Sequence, residues 1–138
     1  IVDHAKPADY VVDTYWGQVP VRFIGRQPQG EIPQLYEKID VLFAPSLWPE
    51  SYGLVTREAA ACRCWVIASD RGGIGEDIID GVSGFIIAPT QDAVMEKLLA
   101  INSQPQRFKN LAGESHLRLV SEQVDEMLAV YADIVDIA

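Results

Sequence analysis

The feature that most constrains the fold is a short apolar run followed by a loop, a glycine and a helix-forming segment. Val41–Ala44 is rich in β-formers and is followed by Pro45, which is typical of a buried parallel strand. Leu54–Cys62 contains no Gly or Pro and is rich in Ala, which favours a helix, and we expect its apolar face of Val55, Ala59 and Cys62 to pack on the sheet. Gly53 lies at the junction. This order predicts a strand–loop–helix unit whose loop lies at the carboxyl end of a parallel sheet.

The same stretch contains residue types suited to an anionic ligand. A helix N-terminus offers backbone N–H groups and a partial positive charge, and Gly53 has no Cβ that would block a close approach. Glu58 lies one turn below Leu54, where a carboxylate can accept hydrogen bonds from two vicinal hydroxyls such as those of a ribose. If the anionic ligand is a phosphate, Glu50 lies on its other side. There it is placed to hold hydroxyls of the group that the phosphate carries.

The rest of the chain alternates between short apolar runs and helical patterns. We expect strands at Ile1–His4, Val21–Ile24, Val41–Ala44, Trp65–Ala68 and Phe85–Ala88, and helices at Ala8–Trp16, Glu31–Ile39, Leu54–Cys62, Asp92–Ile101 and Ser121–Ile137. One or two helical turns are expected over 75–79, and a helix interrupted near Gly113 over 104–119. Such alternation predicts an α/β fold: one Rossmann-like parallel sheet of five or six strands with helices on both faces.

Composition excludes several classes of function. The chain has 138 residues, enough for one domain with its own core, and a net charge of -9, which argues against binding to a nucleic-acid backbone. It contains no apolar run long enough to span a bilayer. A zinc site needs four ligands and only His4 and His116 could add to Cys62 and Cys64, so we expect two reduced, partly buried thiols instead. Trp48 and Trp65 are expected to pack in the core.

Several motifs in order resemble the retaining, nucleotide-sugar-dependent glycosyltransferases of GT-B fold known as the group 1 class. The most specific is an E-x7-E pattern, Glu50 to Glu58, inside Pro-Ser-x-x-x-Glu-x-(aromatic)-Gly-Leu. Each further piece is weak alone, but the ordered set is strong. The set comprises V-x-F-x-G at 21–25, L-Y-x-x-x-D-V at 35–41, V-I-A-S at 66–69, G-G-x-x-E at 72–76 and D-G-x-x-G at 80–84.

The resemblance implies roles for individual residues. Glu50 would be the catalytic residue that contacts the donor sugar, in a sugar-binding segment continued by Ser51, Tyr52 and Gly53. The nucleotide would be bound by a second set, consisting of Glu58, Gly25, Arg26, Leu54 and Val55. The turn Gly72-Gly73 would line the crevice of the sugar nucleotide.

The resemblance also implies what surrounds this domain. Residues 1–138 would be the single donor-binding domain of a two-domain cytoplasmic enzyme, with the N-terminal acceptor-binding half missing from this sequence. The partner would be a nucleotide diphosphate sugar acting as donor substrate, with no cofactor, no metal and no nucleic acid. The missing half leaves open a peripheral association with membranes. This chain alone would bind nucleotide weakly and catalyse no transfer.

Two residues depart from the family pattern and keep an alternative open. Arg63 and Trp65 stand where the family usually has Gly and Pro after this helix. Gly at a helix end normally supplies a left-handed turn, so Arg63 would be strained or the turn would take another shape. The alternative is a non-catalytic Rossmann-like module for regulation or assembly. A nicotinamide-dependent oxidoreductase is a poor fit, because no G-x-G-x-x-G follows a first strand.

Overall fold

The computed structural model describes residues 1–109, 111, 117 and 119–136, and the chain divides into two compact units, Ile1–Ile39 and Asp40–Ala138. The described residues form a mixed α/β fold. The strands are β1 Val2–Asp3, β2 Val11–Trp16, β3 Val19–Gly25, β4 Val41–Ala44, β5 Trp65–Ser69 and β6 Gly84–Ile87. The α-helices are α1 Ile32–Tyr36, α2 Leu54–Ala61, α3 Gln91–Ser103 and α4 Val120–Asp136. No helix in the described part of the chain is long and apolar enough to cross a membrane.

The first unit contains a three-stranded sheet in the order β1-β3-β2. β1 and β3 run parallel, whereas β2 and β3 form an antiparallel hairpin joined by the two residues after Trp16. The predicted helix Ala8–Trp16 is therefore wrong. Its sequence is rich in Val, Thr, Tyr and Trp, which favour strands, and Gly17 adopts φ +63 in the turn.

The second unit contains a parallel sheet in the order β4-β5-β6. All five residues of β5 are buried, as expected for a central parallel strand covered on both sides. The predicted α/β class with a parallel sheet and flanking helices is confirmed. The six strands nevertheless form two sheets of three rather than one sheet.

The two faces of the β4-β5-β6 sheet are covered differently. On one face, Trp65 stacks on Phe85 at 5.9 Å between ring centroids and meets Phe108 edge-on at 5.1 Å. Leu111 completes this cluster, and Ile101 of α3 packs against it. The opposite face is covered by α2. The prediction that Trp65 packs in the core is confirmed.

The end of α2 is a left-handed turn made by an arginine. Arg63 has φ +64; its N–H donates to Ala60 O at 3.0 Å, and the Cys64 N–H donates to Ala59 O at 3.0 Å. This is the Schellman pattern that glycine usually forms. The turn is thus preserved with a non-glycine residue, which places strain at Arg63. Its carbonyl and Nε both bond to the backbone of Leu111.

The remaining helices follow the predicted order with shifted bounds. The helical turns predicted over 75–79 are wrong, because residues 76–79 form no helix and the 3-10 turn found here, Gly73–Gly75, overlaps the prediction only at Gly75. Another 3-10 turn spans Pro105–Phe108, and the interruption expected near Gly113 lies outside the described residues. α3 begins with a capping bond, because Thr90 Oγ1 accepts from the Ala93 N–H at 3.3 Å. Every side chain described on α4 is exposed, including its apolar ones.

Candidate functional site

Two loops at the carboxyl ends of neighbouring parallel strands are joined directly. The first site loop, residues 45–53, follows β4, and the second site loop, residues 70–75, follows β5. Glu50 and Gly72 form a parallel β-bridge, and the Gly73 N–H donates to Glu50 O at 2.6 Å. This brings the predicted sugar-binding segment and the predicted crevice turn together, at the sheet edge where ligands of α/β folds bind.

Glycine is required where these loops touch. A Cβ on Gly72 would lie 2.4 Å from Glu50 O, and one on Gly73 would lie 2.5 Å from Ser51 O. Gly72 also has φ +66, a conformation that L side chains rarely adopt. Because the clashing atoms are backbone, neither position accepts a side chain unless the loops separate.

The helix that follows the first site loop starts on a bare glycine. Gly53 is the N-cap residue, with φ +70, and it makes no side-chain capping hydrogen bond. No acidic residue occupies the first turn. The side chain of Thr56 supports the turn from below: its Oγ1 lies 2.8 Å from Gly53 O and 3.0 Å from Ile74 O, and donates its proton to one of them at a time. The positive end of α2 is therefore presented at the site.

The exposed side chains at this helix start correct one expectation. Val55 was expected to pack on the sheet with Ala59, but it is 44% exposed, whereas Ala59 is fully buried. Leu54 is 65% exposed. Thr56 and Ala59 are the buried residues of α2, and Thr56 tolerates burial because its hydroxyl is satisfied by backbone carbonyls. Leu54 and Val55 thus lie at the surface, where the predicted nucleotide would approach.

The two acids of the E-x7-E pattern lie in different elements and differ in burial. Glu50 is exposed in the first site loop, and Glu58 is half-buried on α2. Between them Ser51 is exposed and Tyr52 is 49% exposed. Trp48 is 79% exposed, so the expectation that it packs in the core is wrong. Its backbone carbonyl accepts a hydrogen bond from Ser46 Oγ at 3.1 Å.

Arg57 was missed by the sequence reasoning and connects the site loops. Its Nε lies 2.5 Å from Asp77 Oδ2 and its Nη2 3.6 Å from Glu76 Oε2. Nη1 donates to Gly73 O at 3.4 Å, and the guanidinium carbon lies 3.7 Å from the centroid of the Tyr52 ring. The Arg57 side chain is only 12% exposed. The nearest sequence signal is the Glu76-Asp77 pair just after the glycine turn.

Gly25 and Arg26 belong to the first unit and lie at the end of β3. A Cβ on Gly25 would lie 1.7 Å from Pro7 O, so the chain needs glycine there for a close backbone approach. Arg26 is exposed, and its N–H donates to Lys6 O at 3.1 Å. Their expected role in binding the nucleotide stays a prediction.

The two cysteines form no disulfide. Cys64 is fully buried, and burial raises its pKa from 9.0 to about 11, with smaller contributions from the negative charges of Cys62 and Asp40. A thiol with a raised pKa is a poor nucleophile, so Cys64 is structural. Among the described residues, no group of three His, Cys, Asp or Glu side chains is placed to hold a metal ion.

The profile of the family described as "Glycosyl transferases group 1" matches residues 5–115 of this chain. The chain belongs to this family. The match includes β4, α2 and both site loops, so the geometry above lies within the part shared with the family.

Individual relatives agree with this assignment. The chain is 31% identical over 122 residues to a D-inositol 3-phosphate glycosyltransferase of Actinosynnema mirum, covering 85% of this chain and 29% of the relative. It is also 31% identical over 102 residues to a glycogen synthase of Mycobacterium tuberculosis, covering 73% of this chain and 24% of the relative. The chain therefore spans less than a third of the length of these relatives.

Solved structures show the same fold. The Anabaena protein HepE, in complex with UDP and glucose, superposes with a TM-score of 0.64 at 26% identity, covering 78% of this chain and 31% of HepE. Sucrose-phosphate synthase from Thermosynechococcus elongatus superposes with a TM-score of 0.69 at 24% identity, covering 84% of this chain and 30% of the synthase.

Proposed function

We propose that this chain is the donor-binding domain of a glycosyltransferase that takes its sugar from a nucleotide diphosphate sugar. One observation carries the proposal: the backbone union of Glu50 with Gly72 and Gly73, beside a helix that starts on Gly53. The two site loops therefore form a continuous backbone surface at the carboxyl edge of the parallel sheet. The complexes of HepE with UDP-glucose and with UDP and glucose support the choice of ligand class.

The site residues divide the donor into two parts in this proposal. The start of α2, at Leu54 and Val55, takes the diphosphate, because a helix N-terminus favours negative charge. Glu58 accepts hydrogen bonds from the ribose hydroxyls. Glu50 contacts the sugar as the catalytic residue, together with the sugar-binding segment already named and the crevice turn Gly72-Gly73.

We base the proposed reaction of the whole enzyme on the resemblance to retaining glycosyltransferases. The sugar passes to an acceptor hydroxyl with retention of the anomeric configuration. The leaving diphosphate is stabilised by helix amides and by groups outside this chain, without a metal or other cofactor. We propose that the acceptor binds to a separate N-terminal half, through which any peripheral association with a membrane would take place. Gly25 and Arg26 would contact the nucleotide, and the enzyme would work in the cytoplasm.

Replacing Glu58 by alanine tests the nucleotide site. We expect the affinity for UDP to fall roughly tenfold, because two hydrogen bonds to a charged acceptor are lost. The thermal unfolding temperature should stay close to that of the wild type, since Glu58 is only half-buried. Titration calorimetry of the 138-residue chain with UDP, GDP and ADP sugars measures the affinity and identifies the base.

The matched control is Glu96→Ala, which removes an exposed acid from α3 and the same unit of negative charge. It should leave UDP affinity unchanged. Equal affinities of wild type and Glu58→Ala for every sugar nucleotide would contradict the proposed role of Glu58. Absence of binding by the wild type to all three classes would favour a non-catalytic module.

A further inference from the structure

The environment of Arg57 is unusual for a cation on a helix that begins at a proposed diphosphate site. The guanidinium faces two carboxylates, Asp77 at 2.5 Å and Glu76 at 3.6 Å. These three side chains together carry one net negative charge. A diphosphate would gain no attraction from such a group, and the 12% exposure of the Arg57 side chain leaves it little surface for a ligand.

The same guanidinium contacts both site loops. Its Nη1 donates to the carbonyl of Gly73 in the second site loop, and its carbon stacks 3.7 Å from the centre of the Tyr52 ring in the first. A planar guanidinium can donate in its plane and stack on its face at the same time, which an ammonium cannot do. One side chain on α2 therefore sets the distance between a tyrosine of one loop and a carbonyl of the other.

The contacts are arranged so that a ligand surface remains. One face of the Tyr52 ring lies against Arg57, yet the residue keeps 49% of its surface exposed. Asp77 is half-buried and holds the guanidinium by its Nε, which orients the other two nitrogens. Gly73 accepts a hydrogen bond from Arg57 and also donates its own N–H to Glu50 O. A shift of Gly73 would therefore move the backbone of Glu50.

We infer that Arg57 is a positioning residue of the donor-sugar site, holding Tyr52 and the Gly73 backbone where the sugar of the donor binds. The inference rests on the proposed function and extends it to a residue outside the E-x7-E pattern. Arg57 touches neither nucleotide nor sugar. Replacing Arg57 should therefore reduce the extra affinity that the sugar gives to the donor. The affinity for the nucleotide alone should stay unchanged.

The test is a comparison of two dissociation constants in the 138-residue chain, for UDP and for UDP-glucose, by ligand-detected NMR titration. In Arg57→Ala the UDP constant should change by less than about twofold, whereas the UDP to UDP-glucose ratio should fall roughly five- to tenfold. Arg57→Lys keeps the charge without the planar fork and should give an intermediate ratio. A purely structural role would weaken both ligands together.

Two further variants separate the inference from loss of folding. Tyr52→Leu alters the stacked ring at a half-exposed position without breaking the ion pairs, and it should lower the same ratio. Arg107→Ala removes another arginine next to an aromatic ring, 5.6 Å from the centroid of Phe108, and should leave both constants unchanged. Circular dichroism confirms that each variant is folded.

The outcomes are distinct. A ratio unchanged in both Arg57→Ala and Tyr52→Leu, or a parallel loss of both ligands in folded protein, overturns the inference and leaves the proposed function standing. If the wild type binds a GDP or ADP sugar instead, the same comparison is made with that nucleotide and its sugar. Failure of the wild type to bind UDP, GDP and ADP sugars alike overturns the proposed function, and the inference with it.

Discussion

The two ends of α2 use the same backbone conformation with very different residues. The helix follows Gly53 at φ +70 and is succeeded by Arg63 at φ +64. At the start, a Cβ would lie 2.9 Å from the Cα of Ile74, so neighbouring backbone fills the space. At the end, the side chain of Arg63 is exposed and reaches the carbonyl of Leu111.

The difference shows which constraint requires a glycine. A left-handed residue with a side chain costs about 1 kcal/mol, which a protein can tolerate where there is room. A side chain that would touch the backbone of a neighbouring segment is tolerated less well, because that backbone would have to move. The start of α2 meets both constraints, since the site loops are joined there, whereas its end meets only the first.

The largest expected effect in this comparison is that of Gly53→Ala. The variant should lose about 2–4 kcal/mol of unfolding free energy, from left-handed strain plus the contact with Ile74. It should also weaken sugar-nucleotide binding, because the site loops must separate. Chemical denaturation followed by fluorescence measures the loss.

Gly81→Ala is the control for Gly53→Ala. Gly81 has φ +76, but nothing lies within 4 Å of a Cβ built there. Gly81→Ala should therefore lower the free energy of unfolding by only about 1 kcal/mol, which is the cost of placing a side chain in the left-handed conformation. Equal losses in the two variants would mean that the close packing at Gly53 has no energetic weight.

The buried thiol next to Arg63 predicts a pH dependence at the other end of α2. The pKa of Cys64 is raised from 9.0 to about 11, so the folded state keeps a proton that the unfolded state releases. Its stabilisation is complete below pH 9 and is lost as the pH rises from 9 to 11. The slope should approach about 1.4 kcal/mol per pH unit in urea titrations. Cys64→Ala should lack this part of the slope, and identical curves would refute the raised pKa.

The smallest effect, and the one of opposite sign, belongs to Arg63→Gly. Relief of the left-handed strain should raise the unfolding free energy by about 0.5–1 kcal/mol, after the loss of the long Nε bond to Leu111 O at 3.4 Å. Arg63→Ala keeps the strain and loses the bond, so it should be slightly less stable than the wild type. Thermal denaturation of the pair separates the two contributions, and a destabilised Arg63→Gly would contradict the account.

The accuracy of the sequence-based predictions differs between the two units. In the second unit, β4, α2, β5, β6 and α3 were all predicted within a few residues. Their apolar runs and Ala-rich segments are bounded by glycine or proline, and local pattern and tertiary packing agree there. In the first unit the β2 segment was taken for a helix. Its apolar residues fit one helix face, and the pairing with β3 decided otherwise.

The site shows the same division. The E-x7-E spacing and the glycine turn were visible as motifs, and the structure brings Glu50 and Gly72 into contact. The roles of the individual residues remain predictions. Arg57 and Thr56 carried no motif, because each combines a near neighbour with distant partners. Ile74 lies 18 residues after Thr56, and Gly73 lies 16 residues after Arg57. Side-chain partners at that separation are set by how the loops pack, which a local pattern does not encode.

The amino-acid sequence by itself determined the α/β fold class with a parallel sheet, since apolar periodicity and glycine positions are local properties of the chain. Its ordered motifs also carry the resemblance to the group 1 glycosyltransferases, and the family profile matches residues 5–115. Only the tertiary structure decided that Arg57 contacts both site loops and that Arg63 closes α2 in a left-handed turn. The physical reason is that steric room and charge pairing depend on which segments meet in space. Those meetings are a property of the packed molecule as a whole.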